Sequence, residues 1–257
     1  MIVNVAGLGR VSSSIIYNLK DKVEIGYILS RDKEKAKNFV KEIGKGIPVD
    51  YSDDFKFEDI LFVGYSDSVL LKAPELLEKF IGKQVSAIHF SGYFSSKIFP
   101  SDWNPSSIHP NCPIPRKETK LKNVIFGIEG NIELAKNVVT LLEGRYFIIP
   151  ENSKSFYHLA AVLMSNFPHA LVFLAERLYE IGKIEKKNFY EVMESLLINT
   201  VKNIKKNGTV ESITGPIARK DIEIVRSERE IFCRNFPEFC QLYEIFVQII
   251  SSMNEEK

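Results

Sequence analysis

Hydrophobic and polar positions follow two different rhythms along the chain. From residue 1 to about residue 150, short β-rich apolar runs alternate with amphipathic segments of helical period. This alternation is typical of a mostly parallel sheet that helices cover on both faces. The predicted strands are IVNVA, VEIGYILS, DILFVGYS, VSAIHFSG, SSIHP, VIFGIEG and RYFIIP, and the clearest predicted helix is KEKAKNFVKEI. The pattern predicts a Rossmann-type, doubly wound α/β domain over residues 1–150.

The second half of the chain has helical periods and few strand-like runs. Pro150, Asn152 and Ser153 supply a strand stop and a helix cap in quick succession, which favours a domain boundary there. The predicted helices cover residues 153–182, residues 185–206, a segment after Pro216 and residues 237–253. We therefore predict an all-α domain over residues 151–257.

Composition narrows the class of protein. With 45% hydrophobic and 26% charged residues, the chain resembles a soluble globular protein rather than a disordered or fibrous one. Its 34 basic residues are offset by 33 acidic ones, which disfavours a nucleic-acid partner. The start MIVNVAGLGR lacks the features of a signal peptide. The most apolar helix contains polar residues and a proline, so we expect a cytoplasmic protein without a membrane partner.

The cysteines and histidines predict neither a disulfide framework nor a metal site. Cys112, Cys233 and Cys240 are odd in number and have no paired short spacing, so free thiols in a reducing cytosol are expected. His158 and His169 stand eleven residues apart on one predicted helix. That separation is about 16 Å along the axis, too far for one metal ion.

A glycine turn follows the first predicted strand and opens a helix. Gly7 permits the tight bend, and Gly9 lets the backbone approach a pyrophosphate. The helix N-terminus offers free N–H groups and partial positive charge to the same anion. The third small position is Ser12, so the motif is short, but its strand-to-helix context predicts a dinucleotide site.

The end of the second predicted strand indicates which dinucleotide binds. NAD enzymes place an acidic residue about 20 residues past the glycines, whereas a 2′-phosphate favours an arginine. Ser30 and Arg31 occupy this place, with Lys35 one helical turn further on. A guanidinium can bind the phosphate bidentately, so NADP is the predicted cofactor. Asp32 is either an acidic ribose ligand or a helix N-cap, and the cap suits aspartate better.

Further candidate residues follow later strands, because ligands of open parallel sheets bind at the carboxyl ends of the strands. His109 ends the predicted strand SSIHP and is a candidate substrate residue, whereas His89 lies within its strand as a satisfied core histidine. The predicted cofactor-binding residues are Gly7, Leu8, Gly9, Arg10, Val11, Ser30, Arg31, Lys35, Ser66, Asp67, Ser91 and Gly92.

The apolar helix YHLAAVLMSNFPHALVFLAERLYE carries the candidate catalytic residues. His158 and Ser165 fall on one face, Asn166 lies at its edge, and Pro168 should kink the helix. An imidazole with a pKa of about 6.5 suits acid–base chemistry at neutral pH, so we predict His158 as general acid/base. Ser165 and Asn166 would orient the substrate. Alternatively, His158 and Asn166 bond to nearby backbone and pin the seam between the domains. His169 is predicted to be a core residue.

The stretch SITGPIARKD predicts a rigid turn in the helical half. Gly215 and Pro216 set the turn, and Thr214 and Asp221 could cap the segments that follow it. Arg219 could pair with an anionic substrate in a partner's cleft, which makes Thr214 and Arg219 candidate substrate residues. The alternative is a connecting turn whose arginine makes a solvated salt bridge.

Taken together, the glycine turn, LSR, HFSG, SIHPN, YHLAAVLMSN and TGPIAR resemble the family that joins a Rossmann-like domain to the domain of unknown function 2520. The resemblance covers nearly the whole chain. It implies an NADP-binding domain and a helical domain like that of 6-phosphogluconate dehydrogenase, ketopantoate reductase and pyrroline-5-carboxylate reductase, through which the chain forms a homodimer. It assigns no reaction. The chain departs from the family pattern at Ser66, Asn111 and Lys220, which leaves the substrate open.

The function expected from these features is an NADP(H)-dependent oxidoreductase. It would move a hydride between nicotinamide and a small carbonyl, imine or hydroxyacid substrate held between the domains. Hydroxyacid dehydrogenases of similar architecture supply a lysine, with an asparagine one turn later, where this chain is expected to have His158 and Val162. This difference favours, as an alternative, a non-catalytic NADP-binding dimer that acts as a sensor or scaffold. Arg31 and the helical half disfavour a methyltransferase.

Overall fold

The computed structural model describes residues 1–255, which fall into two compact units. The first unit is Met1–Pro168, and the second begins at His169. Strands give way to helices after residue 148, close to the predicted boundary at residue 150, whereas the compact units divide inside a long helix that starts at Lys154. The domain limits 1–150 and 151–257 therefore stay a prediction.

The first unit is built on one sheet. Its strands are β1 (Ile2–Ala6), β2 (Glu24–Leu29), β3 (Ile47–Val49), β4 (Phe57–Val63), β5 (Ile81–His89), β6 (Ser106–Pro110), β7 (Ile125–Gly130) and β8 (Arg145–Ile148). They are ordered β3-β2-β1-β4-β5-β6-β7-β8. Every neighbouring pair is parallel except β6 and β7, where Ser106 pairs with Gly130. This arrangement confirms the predicted doubly wound α/β domain.

Helices follow most of the strands. Those of the first unit are α1 (Arg10–Leu19), α2 (Lys33–Ile43), α3 (Asp67–Leu70), α4 (Ala73–Leu77) and α5 (Ile132–Leu141), with 3-10 turns at Glu78–Phe80, Ser96–Ile98 and Ser101–Trp103. The long helix is α6 (Lys154–Ile181), and it is followed by α7 (Lys186–Asn207), α8 (Ile222–Asn235), a 3-10 turn at Pro237–Phe239 and α9 (Cys240–Glu255). The predicted all-helical second half is confirmed.

The core lies on both faces of the sheet because neighbouring strand residues point to opposite sides. Val3 and Val5 of β1 pack in the cluster that contains Ile15 of α1. Ala6 belongs to the opposite cluster, with Leu77 of α4. The helices thus cover both faces, as the alternation of apolar runs predicted.

Helix α2 shows why the turn after β2 has a defined shape. The Asp32 carboxylate accepts hydrogen bonds from the backbone N–H groups of Glu34 (3.0 Å) and Lys35 (3.2 Å). At the other end, Gly44 has φ 72° and donates its N–H to the carbonyl of Val40. Of the two roles considered for Asp32, the helix N-cap is confirmed.

Many apolar side chains of the helical half are exposed. Leu196, Val201 and Ile222 are 63%, 64% and 75% exposed. His169 is exposed as well, so its prediction as a core residue is wrong for the single chain. Within residues 1–255, only α6 is long and apolar enough to cross a membrane, and a single helix of this kind is a weak indication of a membrane span.

Two of the three cysteines are bonded to each other. Cys233 and Cys240 form a disulfide, with their Cα atoms 4.5 Å apart, so the expectation of three free thiols is wrong for these two. The chain reverses between α8 and α9, which brings residues seven positions apart into contact. A spacing of seven carries no disulfide signal unless the turn between the helices is known. Cys112 remains a free thiol, and burial raises its pKa.

Candidate functional site

A cavity of about 520 Å³ lies where β1, β2 and β4 end. Seven predicted cofactor-binding residues line it: Gly7, Leu8, Gly9, Ser30, Arg31, Lys35 and Ser66. Its other lining residues are Leu29, Asp32, Tyr51, Gly64, Tyr65, Val69 and Leu76. The structure therefore brings together most of the residues that sequence analysis assigned to the cofactor.

The glycine turn is held by hydrogen bonds that need small residues. Gly7 has φ 91°, and a Cβ atom there would lie 2.6 Å from the ring of Tyr65. The Ser12 hydroxyl donates to the carbonyl of Gly7 (2.8 Å) and accepts from the N–H of Gly9 (3.0 Å). A Cβ on Gly64 would meet the same hydroxyl oxygen at 2.2 Å. The third small position of the motif is thus a serine that ties the turn to its own helix.

The corner of the cavity beyond β2 is cationic. The Lys35 ammonium donates to the carbonyl of Leu8 (2.9 Å), which holds this charge beside the glycine turn. The Lys33 ammonium, by contrast, lies 2.6 Å from Oδ1 of Asp53, so its charge is already paired with a carboxylate. Arg31 makes no ion pair with any carboxylate in the described part of the chain. Arg31 and Lys35 are therefore free to bind an anion.

Two tyrosines that sequence analysis missed form another wall of the cavity. The hydroxyl oxygens of Tyr51 and Tyr65 lie 2.6 Å apart, and burial raises the pKa of Tyr65. The hydrogen bond holds the Tyr65 ring against Gly7. The two tyrosines are 14 residues apart in the sequence and meet only in the folded chain, so the sequence pattern offered no signal for this contact.

Arg10 lies in a neighbouring cavity of about 280 Å³, together with Ser13 and Arg116. The loop that carries Arg116 is bound to α1, because the Ser14 hydroxyl and the Asn18 amide donate to the carbonyl of Thr119 at 3.1 and 2.9 Å. Val11 and Asp67, also predicted to bind cofactor, line neither of these cavities. Arg116 was not predicted.

A second group of predicted residues meets around Gly92, beyond the end of β5. A Cβ atom on Gly92 would lie 2.5 Å from Nδ1 of His158 and 2.9 Å from Nε2 of His109. The two imidazole rings have centroids 6.0 Å apart. The Ser91 hydroxyl accepts from the N–H groups of Tyr93 and Phe94 at 3.1 Å, so it shapes this loop.

A chain of hydrogen bonds fixes the tautomer of His109. The Asn111 amide nitrogen donates to the carbonyl of Ile125 (3.1 Å), which leaves its Oδ1 as an acceptor for the Tyr157 hydroxyl (2.8 Å). Since that hydroxyl spends its only hydrogen on Asn111, His109 Nδ1, 2.6 Å away, must donate to it. His109 Nε2 is then an acceptor beside Gly92. Burial lowers the pKa of His109 to about 4, and the charge of Lys154 adds to the shift.

Lys154 is a buried site residue that sequence analysis missed. Its ammonium donates to the carbonyl of Ser91 (2.6 Å) and to the hydroxyl of Ser107 (2.8 Å). Ser107 in turn donates to Oε2 of Glu129 (3.1 Å). Burial lowers the pKa of Lys154 to about 8, although Glu129 and then Asp67 act in the opposite direction. A lysine thus lies in this region, but the residue one helical turn after it is His158, so the pair of a lysine and an asparagine is still missing.

His89 is a core residue, as predicted, but it is only partly satisfied. Its side chain is fully buried, and its Nδ1 accepts from the N–H of Ser91 at 3.2 Å. Its Nε2 has no hydrogen-bond partner among the residues described. Burial lowers the pKa of His89 to about 3, so the ring is neutral at physiological pH.

The remaining predicted site residues make local contacts instead. The exposed Ser165 donates to the carbonyl of Ala161 (2.7 Å) and to Oδ1 of Asn166 (3.0 Å). Both residues lie about 10 Å or more along the helix from His158 at 1.5 Å per residue. The contact of Asn166 is with the Ser165 side chain, so the alternative role considered for it, bonding to nearby backbone, stays a prediction.

The predicted turn residues of the helical half lie in the second unit. Thr214 is exposed, and the Arg219 guanidinium binds the carboxylate of Asp221 at 3.0 Å. Asp221 makes no side-chain cap for α8, so its predicted capping role is wrong. The substrate roles of Thr214 and Arg219 stay predictions. No group of three or more His, Cys, Asp or Glu residues within residues 1–255 is arranged to hold a metal ion.

Comparisons with known proteins extend over the whole chain. The family model of the domain of unknown function DUF2520 matches residues 124–250. The crystal structure of protein TM1727 from Thermotoga maritima is 31% identical, with a TM-score of 0.78, and the alignment covers 100% of this chain and 99% of that one. No curated protein sequence matches this chain.

More distant structures share the fold. The 1-pyrroline-5-carboxylate reductase of Streptococcus pyogenes is 17% identical with a TM-score of 0.67, and 98% of each chain is covered. The imine reductase of Aspergillus terreus, solved with NADPH4 and dibenz[c,e]azepine, is 12% identical with a TM-score of 0.65, covering 99% of this chain and 98% of that one. These likenesses extend over both the sheet and the helices that follow it.

Proposed function

The chain belongs to the DUF2520 family, and from this membership and the geometry of its cleft we propose that it is an NADP(H)-dependent oxidoreductase. The substrate would be a small carbonyl, imine or hydroxyacid. One observation carries the proposal. His109, whose ring is neutral and fixed in orientation, and His158 both lie beside Gly92, beyond the end of β5. The cationic cofactor cavity lies at the ends of other strands of the same sheet.

The residues that line the cavity of about 520 Å³ fit NADP. Arg31, Lys35 and the Ser30 hydroxyl would bind the 2′-phosphate, because a free guanidinium and ammonium suit a phosphate dianion. The turn at Gly7 and the start of α1 would bind the pyrophosphate through backbone N–H groups, with Arg10 beside them. When bound, the cofactor supplies or accepts a hydride, and the protein positions it.

The histidine pair defines what the substrate must offer. His109 Nε2 is an acceptor, so it would bind an O–H or N–H group next to the reacting carbon. His158 would exchange the proton at the reacting heteroatom, since its Nδ1 has no partner within the described residues. Because the neighbouring folds include a pyrroline-5-carboxylate reductase and an imine reductase, imines are the first substrates to test.

We expect the purified protein to oxidise NADPH with one class of a panel of imines, 2-oxoacids and small ketones. Replacing His158 by alanine should lower kcat about 100-fold or more, the usual contribution of general acid–base catalysis. Tyr157→Phe should lower kcat/KM, because it removes the hydroxyl through which Asn111 fixes the His109 tautomer. Loss of NADPH absorbance is the measurement, and Tyr146→Phe, an exposed tyrosine on β8, is the matched control.

A non-catalytic NADP-binding sensor or scaffold is the second candidate. It is favoured by Ser165 and Asn166, which bond to each other, and by the bond of Ser165 to the helix backbone, because neither residue reaches the histidine pair. The same panel separates the two functions. Tight NADPH binding without turnover of any substrate, and unchanged by His158→Ala, would support the sensor.

We further propose that a second copy of the chain covers the apolar side chains of the helical half. Exposed large apolar residues occur along α6, α7, α8 and α9, an extent that is unusual for a monomer. A cavity of about 810 Å³ between α8 and α9 adds further surface for a partner. A homodimer would bury these side chains and would leave α6 within protein rather than membrane.

The dimer is tested at two neighbouring positions on α7. Val201→Asp should weaken dimerisation about 30-fold or more, because it places a charge in a desolvated contact. Lys202→Asp, which changes an exposed polar residue, is the control and should leave the dimer intact. Analytical ultracentrifugation gives both dissociation constants. A monomeric wild type, or equal effects of the two variants, would contradict the proposal.

A further inference from the structure

We propose that the buried Lys154 ammonium makes this cleft bind NADPH in preference to NADP⁺. The inference rests on the proposed function, because it requires a nicotinamide ring near Lys154. It adds what neither the fold nor the histidine pair determines, namely the redox state of the cofactor that the protein prefers.

The order of the strands places the nicotinamide near Lys154. Arg31 follows β2, the glycine turn follows β1, and Ser91 follows β5. Since the order is β2-β1-β4-β5, three strand intervals of about 4.8 Å separate the two ends, or roughly 14 Å. A dinucleotide with its 2′-phosphate at Arg31 and its pyrophosphate at the turn therefore extends towards β5. There the Lys154 ammonium is bonded to the carbonyl of Ser91 at 2.6 Å.

Titratable groups from several elements surround the Lys154 ammonium. From β5 and β6, His89 and His109 face it as neutral rings, because burial lowers their pKa values to about 3 and about 4. His158 lies one turn along α6. The two carboxylates that act on the ammonium are Glu129 and Asp67.

Glu129 does not cancel the charge at the cleft. It lies on β7, one strand further from β5 than Ser107, and the Ser107 hydroxyl stands between it and the ammonium. Its Oε1 accepts from the hydroxyls of Ser95 (2.7 Å) and Ser96 (3.0 Å), so its charge is also stabilised by donors other than Ser107. The ammonium is bonded directly to the backbone at the end of β5, where the ring is expected.

The two forms of the cofactor differ in charge at this end. Oxidised nicotinamide is a cation and reduced nicotinamide is neutral, so a nearby ammonium weakens binding of NADP⁺ alone. At an intermediate effective dielectric constant, and with Glu129 and Asp67 offsetting part of the charge, the effect is about tenfold. Because the pKa of Lys154 is lowered to about 8, the preference is complete at neutral pH and disappears as pH rises beyond that value.

The test is the ratio of dissociation constants for NADP⁺ and NADPH, measured by calorimetry and fluorescence between about pH 6 and pH 10. Phosphate and pyrophosphate contacts are common to both ligands and cancel in the ratio. In the wild type the ratio should fall about tenfold through about pH 8. Lys154→Met should give a low ratio without a pH step. Lys154→Arg keeps a permanent charge and should give a high ratio, again without a step.

Each outcome decides the inference. If the wild-type ratio does not change with pH, or if Lys154→Met keeps the wild-type ratio and step, the inference is overturned while NADPH binding and the proposed function stand. If the wild type binds neither cofactor, the proposed function itself fails. Should Lys154→Met fail to fold, the wild-type titration and Lys154→Arg decide. The exposed Lys120→Met is the control and should behave as wild type.

Discussion

Replacing Arg31 by alanine is expected to raise the NADPH dissociation constant about 100-fold and to change that of NADH less than about twofold. The guanidinium lines the cofactor cavity and makes no carboxylate ion pair in the described chain. Its loss removes charge-assisted hydrogen bonds to the 2′-phosphate, which contribute about 1.5–3 kcal/mol. NADH lacks this phosphate, so its binding should be nearly unaffected. Fluorescence titration with both cofactors measures the difference.

The controls for Arg31 lie on the same segment. Arg31→Lys should recover part of the affinity, because an ammonium binds phosphate as a point charge without the planar fork. Lys33→Ala should have little effect, since Lys33 is already paired with Asp53. Equal loss of NADPH and NADH affinity in Arg31→Ala would show that the residue binds a part common to both cofactors, and the assignment of the 2′-phosphate would be wrong.

Gly7→Ala is expected to abolish measurable binding of both NADPH and NADH and to lower stability. The residue has φ 91°, where a Cβ costs about 1–2 kcal/mol, and the new methyl would lie 2.6 Å from the Tyr65 ring. That ring cannot easily retreat, because its hydroxyl is bonded to Tyr51. We expect the turn to shift, so that its backbone N–H groups no longer point at the pyrophosphate. Thermal melting and fluorescence titration are the measurements.

Gly44→Ala separates backbone strain from the contact with Tyr65. Gly44 has φ 72°, and a Cβ atom there would meet no heavy atom within 4 Å, so its substitution costs the strain alone, about 1 kcal/mol. It should melt slightly lower than wild type and bind NADPH normally. If Gly7→Ala behaved in the same way, the contact with Tyr65 would have no role in shaping the cofactor site.

Elements with a strong local signal could be predicted from the sequence. KEKAKNFVKEI forms α2 over the predicted residues, and SSIHP forms β6. The short strand β3 was missed, because three residues that include Pro48 give no alternating pattern. The antiparallel pairing of β6 with β7 was missed as well, since strand direction is set by the connection and by long-range pairing.

The site residues were predictable where all of them belong to one short segment of the sequence. The glycine turn and the Ser30–Arg31 corner are local, and they line one cavity as expected. Lys154 and the pairing of Tyr157 with His109 depend on contacts between α6 and β6, residues 47 or more positions apart. A sequence pattern cannot reveal such contacts, although a lysine four residues before His158 was visible as a helical neighbour.

The redox state of the Cys233–Cys240 pair indicates whether the protein folds in a reducing or an oxidising compartment. The disulfide closes a ring at the corner of α8 and α9, helices that are also joined by packing of Phe232 against Tyr243 and by the ion pair of Arg229 with Glu244. A reducing interior would keep the two thiols apart, whereas an oxidising one would join them. Free thiols can be alkylated at the moment of cell lysis, and mass spectrometry then distinguishes them from the disulfide, which is not alkylated and has two hydrogens fewer. The result would show which kind of compartment holds the native protein.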